Sequence, residues 1–141
     1  MIQFNMNKII VDQFAILSNN VPEQGSDIQL NSQLGFKVDH ENKLVASTMR
    51  FDFVGNNETF LVLEVTCIFT IEPNCWEQLT EDKVLHLPKD FLAHMGMHTI
   101  GTSRGILHCK TENTPFNVFL LPPIDVVQMI PEDLYIPVEN K

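Results

Sequence analysis

The sequence predicts an α+β domain: a four-stranded antiparallel sheet with a long crossover loop after its first strand, followed by a short and a long helix packed on one face. Three observations carry this expectation. Apolar and polar residues alternate from about residue 28 to residue 71, in three runs separated by turn-forming residues. A polar stretch, residues 18–27, separates an earlier β-rich run from these three and is too long for a tight hairpin. Beyond Pro73 the apolar period lengthens from that of a strand to that of a helix.

The first strand is expected over residues 8–17, which are rich in Ile, Val and Phe. Because of the long connection after it, it need not pair with the second. In the second strand, residues 28–38, Ile28, Leu30, Leu34, Phe36 and Val38 face one side and Gln29, Asn31, Gln33 and Lys37 the other, the pattern of a half-buried strand. Residues 39–42 turn the chain into the third strand, residues 43–54, which sets Val45, Met49, Phe51 and Phe53 against Arg50 and Asp52. Gly55-Asn56-Asn57-Glu58 make the next turn. The fourth strand, residues 60–71, has one wholly apolar face from Leu61 to Ile71 and a mixed one with Phe60, Val62, Glu64, Thr66, Ile68 and Thr70.

Asn74-Cys75-Trp76-Glu77 reads as an N-cap with a carboxylate three residues on, opening a short helix over 75–79 in which Trp76 is a core anchor. Pro88 to Asp90 open a longer helix to about Lys110, with Leu92, Met95, Thr99, Ile100, Ser103, Ile106 and Leu107 on one stripe. Gly96, Gly101 and Gly105 each weaken it by about 1 kcal/mol relative to Ala, a loss that close packing is expected to offset. Residues 116–130 form an apolar, proline-interrupted closing stretch. One sheet under one long helix is thin, because a helix covers only about 10 Å of width, so apolar surface should remain uncovered.

Composition narrows the function classes. The 141 residues make one ordinary domain, 1–141, able to bury roughly 70% of its unfolded surface. The net charge of −9 disfavours nucleic acid and anionic membranes, and favours basic polypeptide partners. Three cysteines without paired spacing point to a reducing compartment. No basic segment precedes an apolar run at the start, and no window approaches about 20 apolar residues, so neither a signal peptide nor membrane insertion is expected and the expected location is the cytoplasm.

Three segments together resemble the SecB-type export chaperones, over about residues 8–127: the strand end Cys67-Ile68-Phe69-Thr70-Ile71, a long helix with Arg104 in its middle, and Leu121-Pro122-Pro123-Ile124-Asp125-Val126. The resemblance implies a homotetramer, a dimer of dimers, that holds non-native, preprotein-type polypeptides in apolar grooves without ATP, nucleotide or cofactor. It assigns client binding to Val21 and Pro22 in the crossover loop and to Ile28 and Leu30 on the second strand. It assigns contact with a translocation motor ATPase to Glu64, with Asp12 next to the family's first-strand acidic positions, which match Gln13 and Leu17 here. The chain departs from the family in a shorter stretch between Glu64 and the Ile-Phe pair and in lacking a long last helix and tail. The fold is thus implied more firmly than docking to the export machinery. The alternative is a dedicated SecB-like partner of one protein, such as an antitoxin, without an export role.

No catalytic constellation is legible. His94 and His98 are spaced to share a zinc ion, but two ligands are not a site, and nothing fixes the approach of His86 or Cys109. Cys67 lies on an apolar strand face, where a thiol is inert. Gly101 to Gly105 lies inside a helix without the Lys-Ser/Thr of a phosphate loop. Neither an enzyme nor a metal site is expected, and Arg104 is expected either to pair with a carboxylate at a subunit interface or to lie among surface charges.

Overall fold

The computed structural model describes residues 2–23 and 27–138; residues 24–26 of the expected crossover loop, and the ends of the expected 1–141 domain, lie outside them. Four long strands, β1 Phe4–Ile16, β2 Ile28–Asp39, β3 Leu44–Gly55 and β4 Glu58–Ile71, form an antiparallel sheet in the order β1-β4-β3-β2. The first strand indeed avoids the second: the connection carries the chain across the width of the sheet. The β3–β4 connection is a two-residue turn at Asn56-Asn57, both with positive φ (55° and 63°), which suits the twist of a hairpin.

The register explains which side chains share a face. Val45, Met49, Phe51 and Phe53 on β3 pair with Phe69, Val65, Leu63 and Leu61 on β4, all buried on the helix side. The helix-side apolar residues of β1 (Phe4, Met6, Ile9, Val11, Phe14 and Ile16) skip by three twice, after Met6 and after Val11. The ladder shifts register at those two places, and the bulges keep every one of these residues opposite a buried β4 residue. A third bulge, at Phe53/Val54, corrects the expectation for Phe60. Rather than joining the mixed face, Phe60 packs 5.0 Å from Phe119 and 6.1 Å from Phe53 and Phe116 (ring centroids) and is buried.

Helix α1 spans Pro73–Leu79 and buries Trp76. Its cap is Glu72, two residues earlier than the expected Asn74: the Glu72 carboxylate accepts from the Cys75 amide at 3.0 Å, and Pro73 takes the first helical position, where its missing N–H costs nothing. A hairpin that the sequence reading did not anticipate, β5 Thr80–Glu81 and β6 Val84–Leu87, links α1 to the long helix. Helix α2, Lys89–Lys110, lies on β3 and β4 with Leu92, Met95, Thr99, Ile100, Ser103 and Leu107 buried, close to the expected stripe. Buried hydroxyls register it on the sheet: Thr99 Oγ1 lies 2.9 Å from Ser47 Oγ and 2.9 Å from the Met95 carbonyl oxygen.

The glycines of α2 divide. A Cβ on Gly96 would meet Val126 Cγ1 at 2.8 Å and Leu34 Cδ2 at 3.3 Å, so close packing there requires glycine. Gly101 and Gly105 face open space, contrary to the expectation that both pack closely. After α2 a 3-10 turn, Pro115–Val118, leads to the short helix α3, Val126–Met129, and to β7, Leu134–Pro137, which pairs with β6 to complete a second, three-stranded sheet β5-β6-β7. Among the described residues Arg104 meets no carboxylate; it donates to the carbonyl oxygens of Leu121 and Pro122, both at 3.1 Å. Two of the three segments that carry the family resemblance are therefore bonded to each other, and the bond holds the closing segment against α2.

Candidate functional site

β2 is an edge strand. It pairs with β3 on one side and, among the described residues, with no strand on the other. On the helix side Leu34 and Phe36 are half-buried, and alongside them lies an apolar groove of about 360 Å³. Leu92 of α2 contributes to its floor, and Met129, Ile130 and Leu134 of the closing segment form the far wall. Glu132 sits at its rim. The wall is fixed at one end by Val126 seated on Gly96. At the other end, Asp133 accepts from His86 Nε2 at 2.7 Å and from the Lys89 amide at 2.8 Å. The His86 hydrogen bond, followed by that from Lys89, holds the Asp133 carboxyl below the usual carboxylate range. An unpaired strand edge next to an apolar trough can accept an extended chain, main chain to main chain and alternate side chains inward.

The residues expected from sequence for client binding lie at the other end of β2. Val21 and Pro22 are half-buried beside the β3–β4 turn, and Pro22 Cγ and Ile28 Cδ1 both press on Gly55, 3.0 and 3.3 Å from where a Cβ would stand. Ile28 keeps 39% exposure and Leu30 packs against the core. The structure thus gathers Val21, Pro22 and Ile28, but outside the Leu34–Phe36 groove. The alternation on β2 already placed Leu34 and Phe36 on the right face; what sequence lacked was any sign that Met129, Ile130 and Leu134 return beside them.

Asp12 and Glu64 come together in a shallow hollow on the opposite, outer face of the sheet, with Gly35, Lys37 and Thr66. The Thr66 hydroxyl donates to Asp12 Oδ2 at 2.5 Å and shares a 2.7 Å hydrogen bond with Thr48. Nearby, Arg50 bonds Gln13 Oε1 at 2.9 Å and pairs with Asp52 at 3.2 Å. The acidic pair therefore belongs to an ordered polar surface.

The helix side is also open at the β1 edge. Met6, Ile9 and Val11 retain 37%, 50% and 39% exposure, and Met97 on α2 is 59% exposed. His94 and His98 stack at 4.9 Å there, their rings edge-on to Phe4. Among the described residues no three His, Cys, Asp or Glu side chains are grouped to hold a metal ion. Cys67 is fully buried, and burial pushes its thiol pKa up despite hydrogen bonds with Thr99 and Thr102. Among the described residues no helix is long and apolar enough to cross a membrane.

No protein-family model matches the chain, and no curated protein sequence does. Among solved structures, the Mycobacterium tuberculosis Rv1957 SecB-like chaperone in complex with a ChAD peptide from the Rv1956 HigA1 antitoxin superposes with a TM-score of 0.59 over 86% of this chain and 90% of that chain, at 11% identity. The fold is SecB-like. A protein of unknown function from Streptococcus agalactiae is also similar, with a TM-score of 0.41 and 12% identity over 89% of this chain and 99% of that chain.

Proposed function

We propose that this protein is a non-catalytic, ATP-independent chaperone of the cytoplasm that holds extended, non-native polypeptide segments. The observation that carries the reading is the apolar groove between Leu34 and Phe36 on the unpaired β2 edge and the Met129–Leu134 wall. Apolar client atoms buried there contribute about 25 cal/mol per Å², and main-chain pairing along β2 is indifferent to sequence. Together they favour breadth over specificity. Glu132 at the rim and the net charge of −9 favour clients with basic flanks.

Self-association belongs to the same reading. The strip formed by Met6, Ile9 and Val11 is apolar. Between Phe91 and Thr111, α2 carries no carboxylate, although the chain is strongly acidic. Two copies can meet there without charge repulsion, and a dimer of dimers is the assembly we propose. The Asp12–Glu64 surface on the outer sheet face is the proposed docking site for an export motor.

The test is native mass spectrometry with and without a reduced, unfolded client. Binding to an oligomer is expected, with Phe36→Ala weakening it about tenfold, the order of one lost aromatic contact. A monomer indifferent to every unfolded client would defeat the reading. The second reading, a dedicated partner of a single protein, is favoured by the antitoxin peptide in the complex of the M. tuberculosis SecB-like chaperone. It predicts that one cognate chain outcompetes generic clients by orders of magnitude.

A further inference from the structure

Gly35, on the unpaired edge strand β2, belongs to two hollows at once. On the helix side it lines the apolar groove with Leu34, Phe36 and Ile130. On the outer face it lines the polar hollow, of about 320 Å³, with Lys37 and Glu64. A Cβ on Gly35 would meet nothing within 4 Å, so the space beside it is open.

The register shows why the outer hollow reaches the edge. Gly35 faces Thr48 on β3, and Thr48 faces Thr66 on β4, so one row across three strands carries a glycine and two small hydroxyl residues. The two hydroxyls share a hydrogen bond of 2.7 Å, and Thr66 also donates to Asp12. Glu64, the next residue of β4 on that face, differs. It is half-buried and, among the described residues, makes no hydrogen bond and no ion pair. Arg50 faces it across the ladder but is held by Gln13 and Asp52. A half-buried carboxylate without a donor favours a cation brought from outside.

A strand added to an edge sends successive side chains to opposite faces. Beside Gly35 those faces offer an apolar groove on one side and an unpaired carboxylate on the other. We infer that β2 selects a pattern of period two: an extended polypeptide with an apolar residue in the Leu34–Phe36 groove and a Lys or Arg at the adjacent position, passing over Gly35 toward Glu64. The stem of the basic side chain fills the gap over the glycine while its charged end meets the carboxylate. The same residue types on one face of the client cannot serve both hollows together. This specifies the client of the polypeptide-binding reading above and rests on it. A client so placed also covers part of the surface proposed for an export motor. Glu64 is the specificity-determining residue, and the preference it gives is graded, so the client range stays broad.

The test uses two capped nine-residue threonine peptides, each with leucine at positions four and six and a single arginine. In the first the arginine is at position five, opposite the leucine face; in the second it is at position eight, on that face. Composition and charge are identical. Each peptide competes with a reduced, unfolded client. The first should bind about tenfold tighter, the order of one charge-assisted hydrogen bond. Glu64→Gln, at nearly constant shape, should abolish that preference, and Phe36→Ala should weaken both peptides alike. Gly35→Thr, whose side chain enters open space and suits a strand, should weaken the first peptide and spare the second. Either peptide should slow amide exchange along β2. Equal binding of the two peptides, or displacement of the client by neither, would overturn the pattern. A preference that survives Glu64→Gln would overturn Glu64 as the receiver, and binding without slower exchange on β2 would overturn strand addition. If Glu64→Gln does not fold, salt decides: the preference should shrink as salt rises, and one indifferent to salt overturns the ion pair. A protein that binds no client and neither peptide would defeat the polypeptide-binding reading, and the pattern with it.

Discussion

At both edges of the four-stranded sheet the outer strand turns apolar side chains toward the side that α2 occupies. At the β2 edge, Leu34 and Phe36 face a second wall, because the closing segment runs back beside them after Arg104 binds its carbonyls and Gly96 makes room for Val126. At the β1 edge, Met6, Ile9 and Val11 face no such wall among the described residues. The side-chain types are alike; the shape around them is not. A concave apolar surface can close around a pliable chain, whereas a flat strip is satisfied best by another flat strip. The two proposed roles are therefore divided by what the last third of the chain covers and what it leaves.

The most drastic way to break the comparison is to remove what both edges share. Phe51 is fully buried on β3 between them, and Phe51→Ala should cost about 3–5 kcal/mol in denaturant unfolding, losing the groove and the strip together. Next come the two glycines that report on opposite sides of α2. Gly96→Ala forces a Cβ to within 2.8 Å of the stiff Val126 side chain, and it should lose about 1–2 kcal/mol despite the better helix propensity of alanine. Gly101→Ala enters open space and should gain up to about 1 kcal/mol. Equal effects at the two positions would erase the asymmetry. Ile9→Lys should change monomer stability by no more than about 0.5 kcal/mol while shifting the assembly toward smaller species in sedimentation, with client binding per chain retained.

The smallest effect is on pH dependence. Glu72 caps α1, and the amides of Asn74 and then Cys75 hold its carboxyl below the usual carboxylate range. The folded value lies below the unfolded one, so the stabilisation is fully present above the unfolded value and is lost as pH falls through the folded value. In acid titrations followed by circular dichroism, Glu72→Gln should remove that component and leave both edges unaltered.

Much of this division was legible in the sequence. The alternation from Ile28 to Ile71 yielded three strands and their buried face, and the length of residues 18–27 separated β1 from β2. The change of period after Pro73 yielded both helices. What escaped were short elements whose turns lack the usual residues: the β5–β6 hairpin turns through Asp82-Lys83, both at positive φ, with no glycine to announce it. β7 is four residues long and becomes a strand only because β6 is beside it. The groove wall escaped for the same reason, since Met129, Ile130 and Leu134 gain meaning only from a return in space that Arg104 and Asp133 secure over long separations. The acidic pair Asp12 and Glu64 was anticipated as one surface, and the bulge after Val11 is what sets them around a common hollow.

The bulges of β1 carry a further consequence. Two extra residues put the strand out of step with any regular neighbour, so a random extended chain zipping along it would lose register at each irregularity. A strand with the same irregularities at mirrored offsets would not. β2 has no such interruption along its twelve residues and would take any stranger that lies straight. One sheet thus has an interrupted margin and an uninterrupted one.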